Sequence, residues 1–327
     1  MSDPPIGVLV MAYGTASGPE DIERYYTDIR GGRTPSPDHL QALTDRYAAI
    51  GNVFPLLDTT RAQAEGIVER LNADADRDDE FRAYLGMRHS APFVPDAIAQ
   101  MRADGVERAI GIVMAPHWSG MSVETYIERA IRAASDEGGC PAFTFVRSYH
   151  DDPRFVAFLT DRVREALARL SDDERGNAAA IFSAHSLPVR TLDDGTQRCK
   201  TCDCDASCRY RDGLQRTADL VAERSGLDDY LIAWQSAGRT NDPWWGPPIE
   251  EVIRQLAVDG REAVVVCSAG FVADHLEILY DLDIEARQLA EEAGMRFERT
   301  RMPNADPAYL DVLAAVVREH LTELPTR

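Results

Sequence analysis

IFSAHSLPVR, residues 181–190, begins as small and apolar residues and ends in a histidine, a hydroxyl residue and a proline. The first part reads as a strand buried on both faces, the pattern of a parallel sheet. His185 then stands at the strand's carboxyl end, where open α/β sheets deliver residues to a ligand cleft. A lone histidine there is as often structural as functional, so its neighbours decide the matter.

Similar runs recur along the chain. The first half offers 6–12, 81–86, 109–115 and 142–148; the second offers 178–184, 230–236, 263–269 and 296–301. Helical patterns lie between them, such as SPDHLQALTDRYAAI with Ser36 as its N-cap. Four strands and then four more, each followed by a helix, predict an α/β protein of two Rossmann-like domains with parallel sheets flanked by helices. We expect domains at 1–160 and 161–305, the second carrying a cysteine-rich insert at 199–208. A last helix within 306–327 is expected to fold back on the first domain. No direct sequence repeat links the halves.

The 327 residues carry a net charge of −20 and are 44% hydrophobic. That is enough chain for two cores, and too acidic for a nucleic-acid partner. The N-terminal MSDPPIGVLVMAYGT has no basic stretch and reads as a loop feeding a strand. The longest apolar run is shorter than the roughly 20 residues that span a bilayer. A cytoplasmic protein without a transmembrane segment is expected.

A second element bears on the role of His185. GFVADHLEILYDLDIEARQLAEEAG, 270–294, reads as a helix from near Ala273. At about 100° per residue, Asp274, Glu277, Asp281 and Glu285 fall in one arc, with apolar residues over most of the rest. Such a row is either a solvated face or a set of carboxylates lining a cleft, able to attract a divalent cation or pass protons. Tyr13, in MAYGT, leaves the first strand as His185 leaves the fifth; MAYGT lacks the spacing of a phosphate loop. Arg30, Arg33 and Arg46, the last beside Tyr47, are candidates for carboxylate recognition.

Four of the six cysteines form CKTCDCDASC: Cys199, Cys202, Cys204 and Cys208. Four thiolates this close can enclose an iron–sulfur cluster or one zinc, with free or oxidised thiols as the remaining alternative. Cys140 and Cys267 stand apart and are not expected to be ligands.

Taken together, VLVMAYGT, DIERYYTDIRGGR, RYAAIG, APHWSGMSVETY, FSAHSLP, WQSAGRTNDPWWGP and GFVADHLEILYDLDIE resemble the ferrochelatases over nearly the whole chain, most of all the soluble coproporphyrin III enzymes of Gram-positive bacteria. The resemblance implies a class II chelatase fold, two domains facing a porphyrin cleft, and insertion of Fe2+ into a porphyrin for heme biosynthesis without an organic cofactor. It implies His185 and Glu277 as the iron-binding and proton-handling pair. Tyr13, Arg30, Arg46, Tyr47, Phe54 and Tyr126 would bind the porphyrin, and Asp274, Asp281 and Glu285 would line a path for protons or metal. Gly31 and Phe54 replace an arginine and a serine common in the family, leaving fewer polar contacts for propionates. Some microbial members carry a [2Fe-2S] cluster on an internal cysteine segment, which favours iron and sulfide over zinc here. A monomer is expected, with room for transient contact with neighbouring heme-pathway enzymes. The alternatives are a protoporphyrin IX ferrochelatase, a cobalt or nickel chelatase of the same class, and a porphyrin carrier without catalysis.

Overall fold

The computed structural model describes residues 4–75, 79–136, 138–201, 208–238 and 240–325. The first half runs β1 (Ile6–Ala12), α1 (Ile22–Ile29), α2 (Pro37–Ala49), α3 (Leu56–Asn72), β2 (Phe81–Met87), α4 (Val94–Ala103), β3 (Arg108–Val113), α5 (Val123–Asp136) and β4 (Ala142–Val146). Helices α6 (Pro153–Leu167) and α7 (Asp172–Gly176) lead to the second half. It runs β5 (Ala178–His185), β6 (Val189–Thr191), β7 (Gln197–Cys199), α8 (Arg209–Ser225), β8 (Tyr230–Gln235), α9 (Ile249–Val258), β9 (Ala263–Cys267), α10 (Leu276–Leu279), α11 (Arg287–Glu292), β10 (Arg296–Arg299) and α12 (Pro307–Glu319).

All eight expected strands are present and pair in parallel, in two four-stranded sheets ordered β2-β1-β3-β4 and β10-β9-β5-β8. Written from the other edge, the second order is second-first-third-fourth, the same as the first. The halves therefore repeat one topology without repeating a sequence. In each sheet the chain reverses its direction of winding at the first strand, β1 or β5. A ligand crevice opens at such a switch point, beyond the strand's carboxyl end. Tyr13 follows β1 and His185 ends β5, so the two hold equivalent places.

Every residue of β1 is buried, as a central parallel strand requires. One core holds Val8 and Val10 of β1, Phe155 and Leu159 of α6, Phe182 of β5 and Tyr309 of α12. Helix α6 packs on α8 and on strands of the second sheet, and residue 160 falls inside it. Helix α12 lies on α3, where Leu310 covers Gly66 and Arg70 pairs with Asp311. The β6–β7 hairpin was not expected from the sequence. Its three-residue strands carry no periodicity to read. No helix among the described residues is long and apolar enough to cross a membrane.

Candidate active site

His185 Nδ1 lies 3.2 Å from Glu277 Oε2. A close backbone approach creates this contact. Gly270 follows β9 and donates its N–H to the Ser183 carbonyl at 3.0 Å. A Cβ on Gly270 would fall 2.4 Å from the Ala184 Cβ, so only glycine lets this loop lie on β5 and bring α10 to the strand exit. The ring of His185 meets Trp244 and Phe271 edge-on, each with centroids 6.5 Å away. The side chains of His185 and Glu277 remain 35% and 30% exposed, so the pair stays accessible.

The pair's electrostatics follow from this geometry. Burial works against the charged ring of His185, but the Glu277 carboxylate outweighs it and Asp281 adds to the effect, so the imidazole is more basic than its ordinary 6.5. Burial likewise works against the Glu277 charge, and His185 and then His275 overcome it, holding the carboxyl well below its ordinary value. His275 Nε2 is 3.7 Å from the same Glu277 oxygen, while its Nδ1–H donates to the Ala273 carbonyl at 3.0 Å. His275 lies inside the quoted GFVADHLE stretch, yet the sequence reading gave it no role; its place two residues before Glu277 was the available signal.

The helix that carries Glu277 starts later than its periodicity suggested. It begins at Leu276, with His275 fully extended before it, not near Ala273. Asp274 is outside the helix: Arg299 Nη2 donates to it at 3.1 Å, the Asn304 amide at 2.7 Å, and its own N–H is taken by Asn304 Oδ1 at 2.8 Å. The structure therefore does not set Asp274 alongside Glu277 on one helical face. Beyond α10, Asp281–Ala286 form a π-helical turn in which Glu285 N–H reaches back to the Tyr280 carbonyl at 3.0 Å. Asp281 is buried there and Glu285 is exposed. Burial pushes the Asp281 carboxyl up to about 6, against the pull of Arg46.

The first half brings Tyr13 toward the same site. Gly14 has φ +99°, and a Cβ there would strike Ser90 Oγ at 2.6 Å, so the turn after β1 needs glycine. Tyr25 Oη–H donates to the Gly14 carbonyl at 3.0 Å. The Tyr13 ring rests 4.6 Å from that of His89, whose Nδ1 lies 2.7 Å from Asp28 Oδ1. The Tyr13 phenol is pushed up to about 12, by burial first and by the charge of Glu277 next. That second influence puts Tyr13 within electrostatic reach of Glu277.

Helices α1 and α2 pack together beside the start of α10. Ile22, Tyr25 and Tyr47 form a small core against which Phe54 and Leu276 pack, and Tyr47 stacks on Phe54 at 4.6 Å. Arg46 forms an ion pair with Asp281 and lies 4.6 Å over the Tyr280 ring, joining α2 to the π turn. Arg30 lies 5.7 Å over Tyr26, and its buried Nε has no hydrogen-bond partner among the described residues. Arg33 Nε donates to the Arg30 carbonyl at 3.2 Å and is exposed. Tyr126 is buried in α5 beneath the Arg88 guanidinium, 5.6 Å from its ring centroid.

Of the four clustered cysteines, Cys199 and Cys208 fall within the described residues; Cys202 and Cys204 lie outside them. The two sulfurs are 2.9 Å apart and buried. Trp245 Nε1–H donates to Cys199 Sγ at 3.3 Å. Cys208 stands at the N-cap position of α8, and the neighbouring Cys199 draws its thiol down against the effect of burial. Tyr210 also reaches the active site, donating its hydroxyl to the His185 carbonyl at 2.9 Å. Cys267 is buried in β9, and Cys140 Sγ contacts the Val106 carbonyl. No group of three or more histidine, cysteine or acidic side chains is arranged for a metal among the described residues.

The chain is similar to known proteins along its whole length. The ferrochelatase family model matches residues 5–321. Coproporphyrin III ferrochelatase of Anoxybacillus flavithermus is 48% identical over 322 residues, covering 98% of each chain. Coproporphyrin III ferrochelatase of Bacillus subtilis is 45% identical over 98% of this chain and 99% of its own. Among solved structures, the sirohydrochlorin chelatase SirB of Bacillus subtilis subspecies spizizenii in complex with cobalt matches with a TM-score of 0.54 at 10% identity, over 98% of this chain and 97% of that one. SirB from Bacillus subtilis with Fe3+ matches with a TM-score of 0.56 at 12% identity, over 96% and 95%. At such identities the structural likeness speaks for the fold alone: a class II chelatase architecture of two facing α/β halves.

Proposed function

The chain belongs to the ferrochelatase family, and from that premise we propose that it inserts Fe2+ into coproporphyrin III to give Fe-coproporphyrin III in heme biosynthesis. The observation that carries the reading is the part-exposed His185–Glu277 contact at the exit of β5, within electrostatic reach of Tyr13.

Insertion exchanges two pyrrole N–H protons for a dication, so the site must take up protons and tolerate positive charge. In the neutral ring, Nδ1–H donates to Glu277 and Nε2 keeps its lone pair, free for a proton or for Fe2+. The nearby carboxylate raises the ring's basicity and itself stays ionised, compensating the incoming charge. Asp281 and Glu285 continue from Glu277 along the turn as a route for protons or metal; Asp274, held by Arg299 and Asn304, would lie at its margin. Tyr13 faces the macrocycle from the opposite side.

Arg30, Arg46, Tyr47, Phe54 and Tyr126 are the proposed porphyrin contacts. Aromatic surfaces of Tyr47, Phe54 and Tyr126 suit the ring, and the guanidinium groups suit its carboxylates. Coproporphyrin III carries four carboxylates, and the relatives named above bear its name. The test compares specificity constants for coproporphyrin III and the dicarboxylate protoporphyrin IX under anaerobic conditions. A clear preference for the former is expected; equal constants would remove the substrate assignment.

Cys199, Cys202, Cys204 and Cys208 are proposed to hold a [2Fe-2S] cluster. Support comes from the spacing and from the paired, buried Cys199 and Cys208, the first of which accepts the Trp245 indole N–H. A thiolate with such a donor suits iron–sulfur ligation. A bound cluster supplies one-electron redox chemistry, and no step of metal insertion draws on it.

A further inference from the structure

The WQSAG stretch has no role in the chemistry above, yet its Gln235 touches both members of the reactive pair's scaffold. Gln235 ends β8 directly beside His185, and its carbonyl accepts the Ser186 N–H at 2.7 Å. Its side chain is enclosed, with only 1% of the residue exposed. Nε2 donates to the backbone carbonyl of Glu277 at 3.3 Å. Oε1 accepts from Ser183 Oγ at 2.7 Å and from Ser268 Oγ at 3.0 Å. The Glu277 carbonyl can only accept, so the amide end facing it must be the NH2, and the serine hydroxyls then donate to the oxygen.

One carboxamide thus joins β5, the exit of β9 and the first turn of α10. That turn needs outside support. Helix α10 has four residues, and its N-cap His275 makes no side-chain capping bond. The chain stays helical beyond it, through the π turn into α11, so it is this uncapped first turn that lacks support. The next residue supplies a second anchor: Ser236, with φ +57°, donates its hydroxyl to the Asp281 carboxylate. Gln235 and Ser236 therefore grip the same segment four residues apart, at Glu277 and Asp281. A buried amide also costs stability unless its groups are bonded. An apolar side chain would fill this space, but it could not hold a carbonyl at a fixed place.

We propose that Gln235 is a positioning residue for metal insertion: its carboxamide, oriented by Ser183 and Ser268, fixes the Glu277 backbone so that the Glu277 carboxylate reaches His185. This rests on the assignment of His185 and Glu277 as the inserting pair. Gln235→Met keeps an unbranched side chain of similar size and removes the donor. In the folded variant we expect kcat to fall about tenfold or more and KM for Fe2+ to rise about fivefold, with coproporphyrin III affinity within about twofold. A role confined to packing would lower thermal stability and leave kcat and the iron KM of the folded enzyme unchanged, which overturns the proposal. If Gln235→Met does not fold, the Ser183→Ala, Ser268→Ala double variant decides: it frees the carboxamide to turn and should cost about threefold in kcat with a raised iron KM, and unchanged values overturn the proposal. His185→Ala is assayed alongside. An active His185→Ala variant overturns the underlying assignment, whereas an inactive one beside a wild-type-like Gln235→Met overturns the positioning role alone.

Discussion

His185 Nδ1 and Glu277 Oε2 meet at 3.2 Å across 92 positions of sequence. One ends a core strand and the other sits in the first turn of a four-residue helix. The contact makes a histidine more basic and a carboxylate more acidic at one spot, and most of the expected behaviour follows from it.

Glu277→Gln keeps the shape of the side chain and removes its charge. Insertion should fall at least about 100-fold, the scale of losing a charge that stabilises the reacting centre. Glu285→Gln should cost no more than about threefold, because Glu285 is exposed and two turns, about 11 Å, further along the segment. Anaerobic turnover of both variants checks this. Equal losses would mean that the acidic row acts only as a diffuse field.

The pH profile carries a signed expectation. Only neutral His185 can accept a proton, and Glu277 lifts its titration above 6.5. The acid limb of kcat should therefore lie above the ordinary histidine range. Residual activity of Glu277→Gln should keep its acid limb at lower pH. Glu277, His275, Asp281 and Tyr13 all bear on this site, and Asp281 titrates near 6, so the limb belongs to the set as a whole. An acid limb that does not move in Glu277→Gln would break the link between the two residues.

Arg46→Ala removes the guanidinium from a buried carboxylate. The Asp281 carboxyl is already raised by burial to about 6, and it rises further without Arg46. A carboxyl more easily protonated in the folded state loses stability for the fold as pH climbs from about 4 through its folded value. The variant should thus lose more stability at pH 8 than at pH 5, by roughly 1–3 kcal/mol, scaled down from a fully buried pair because Arg46 is partly exposed. Urea unfolding at the two pH values measures it. Equal losses would show that Arg46 acts by packing on Tyr280 rather than by pairing with Asp281.

The cysteines divide into two classes. Serine at Cys199 or Cys208 should abolish the iron–sulfur absorption and the acid-labile sulfide of anaerobically purified protein. Serine at Cys140 or Cys267 should leave both in place, since Cys267 is packed in β9 and Cys140 contacts the Val106 carbonyl. One zinc per chain without sulfide would replace the cluster with a zinc site.

How much of this was legible in the sequence depends on the range of the interactions involved. The central strands β1 and β5 could be read because parallel strands buried on both faces are nearly continuous apolar runs, and Tyr13 and His185 are marked by standing at their exits. Helical periodicity placed Glu277, Asp281 and Glu285 on one segment. It also took in Asp274, because nothing local announces that Arg299 and Asn304, 25 and 30 positions on, hold that residue outside the helix. The π turn has no spacing signature of its own. Arg46 was legible as a carboxylate binder, but its partner Asp281 lies 235 positions away, where periodicity cannot reach. Gln235 read as part of a motif; its bonds to Ser183, Ser268 and Glu277 exist only once three segments meet.

The most direct measurement is anaerobic incubation of wild type and His185→Ala with coproporphyrin III and Fe2+, following Fe-coproporphyrin III by absorption and porphyrin binding by fluorescence quenching. Wild type should form the iron porphyrin. His185→Ala should form it at least about 1,000-fold more slowly, as the proposed double role of metal ligand and proton acceptor requires, while binding coproporphyrin III within about threefold of wild type. Wild-type turnover in His185→Ala, or no iron porphyrin from the wild-type chain, would contradict the account.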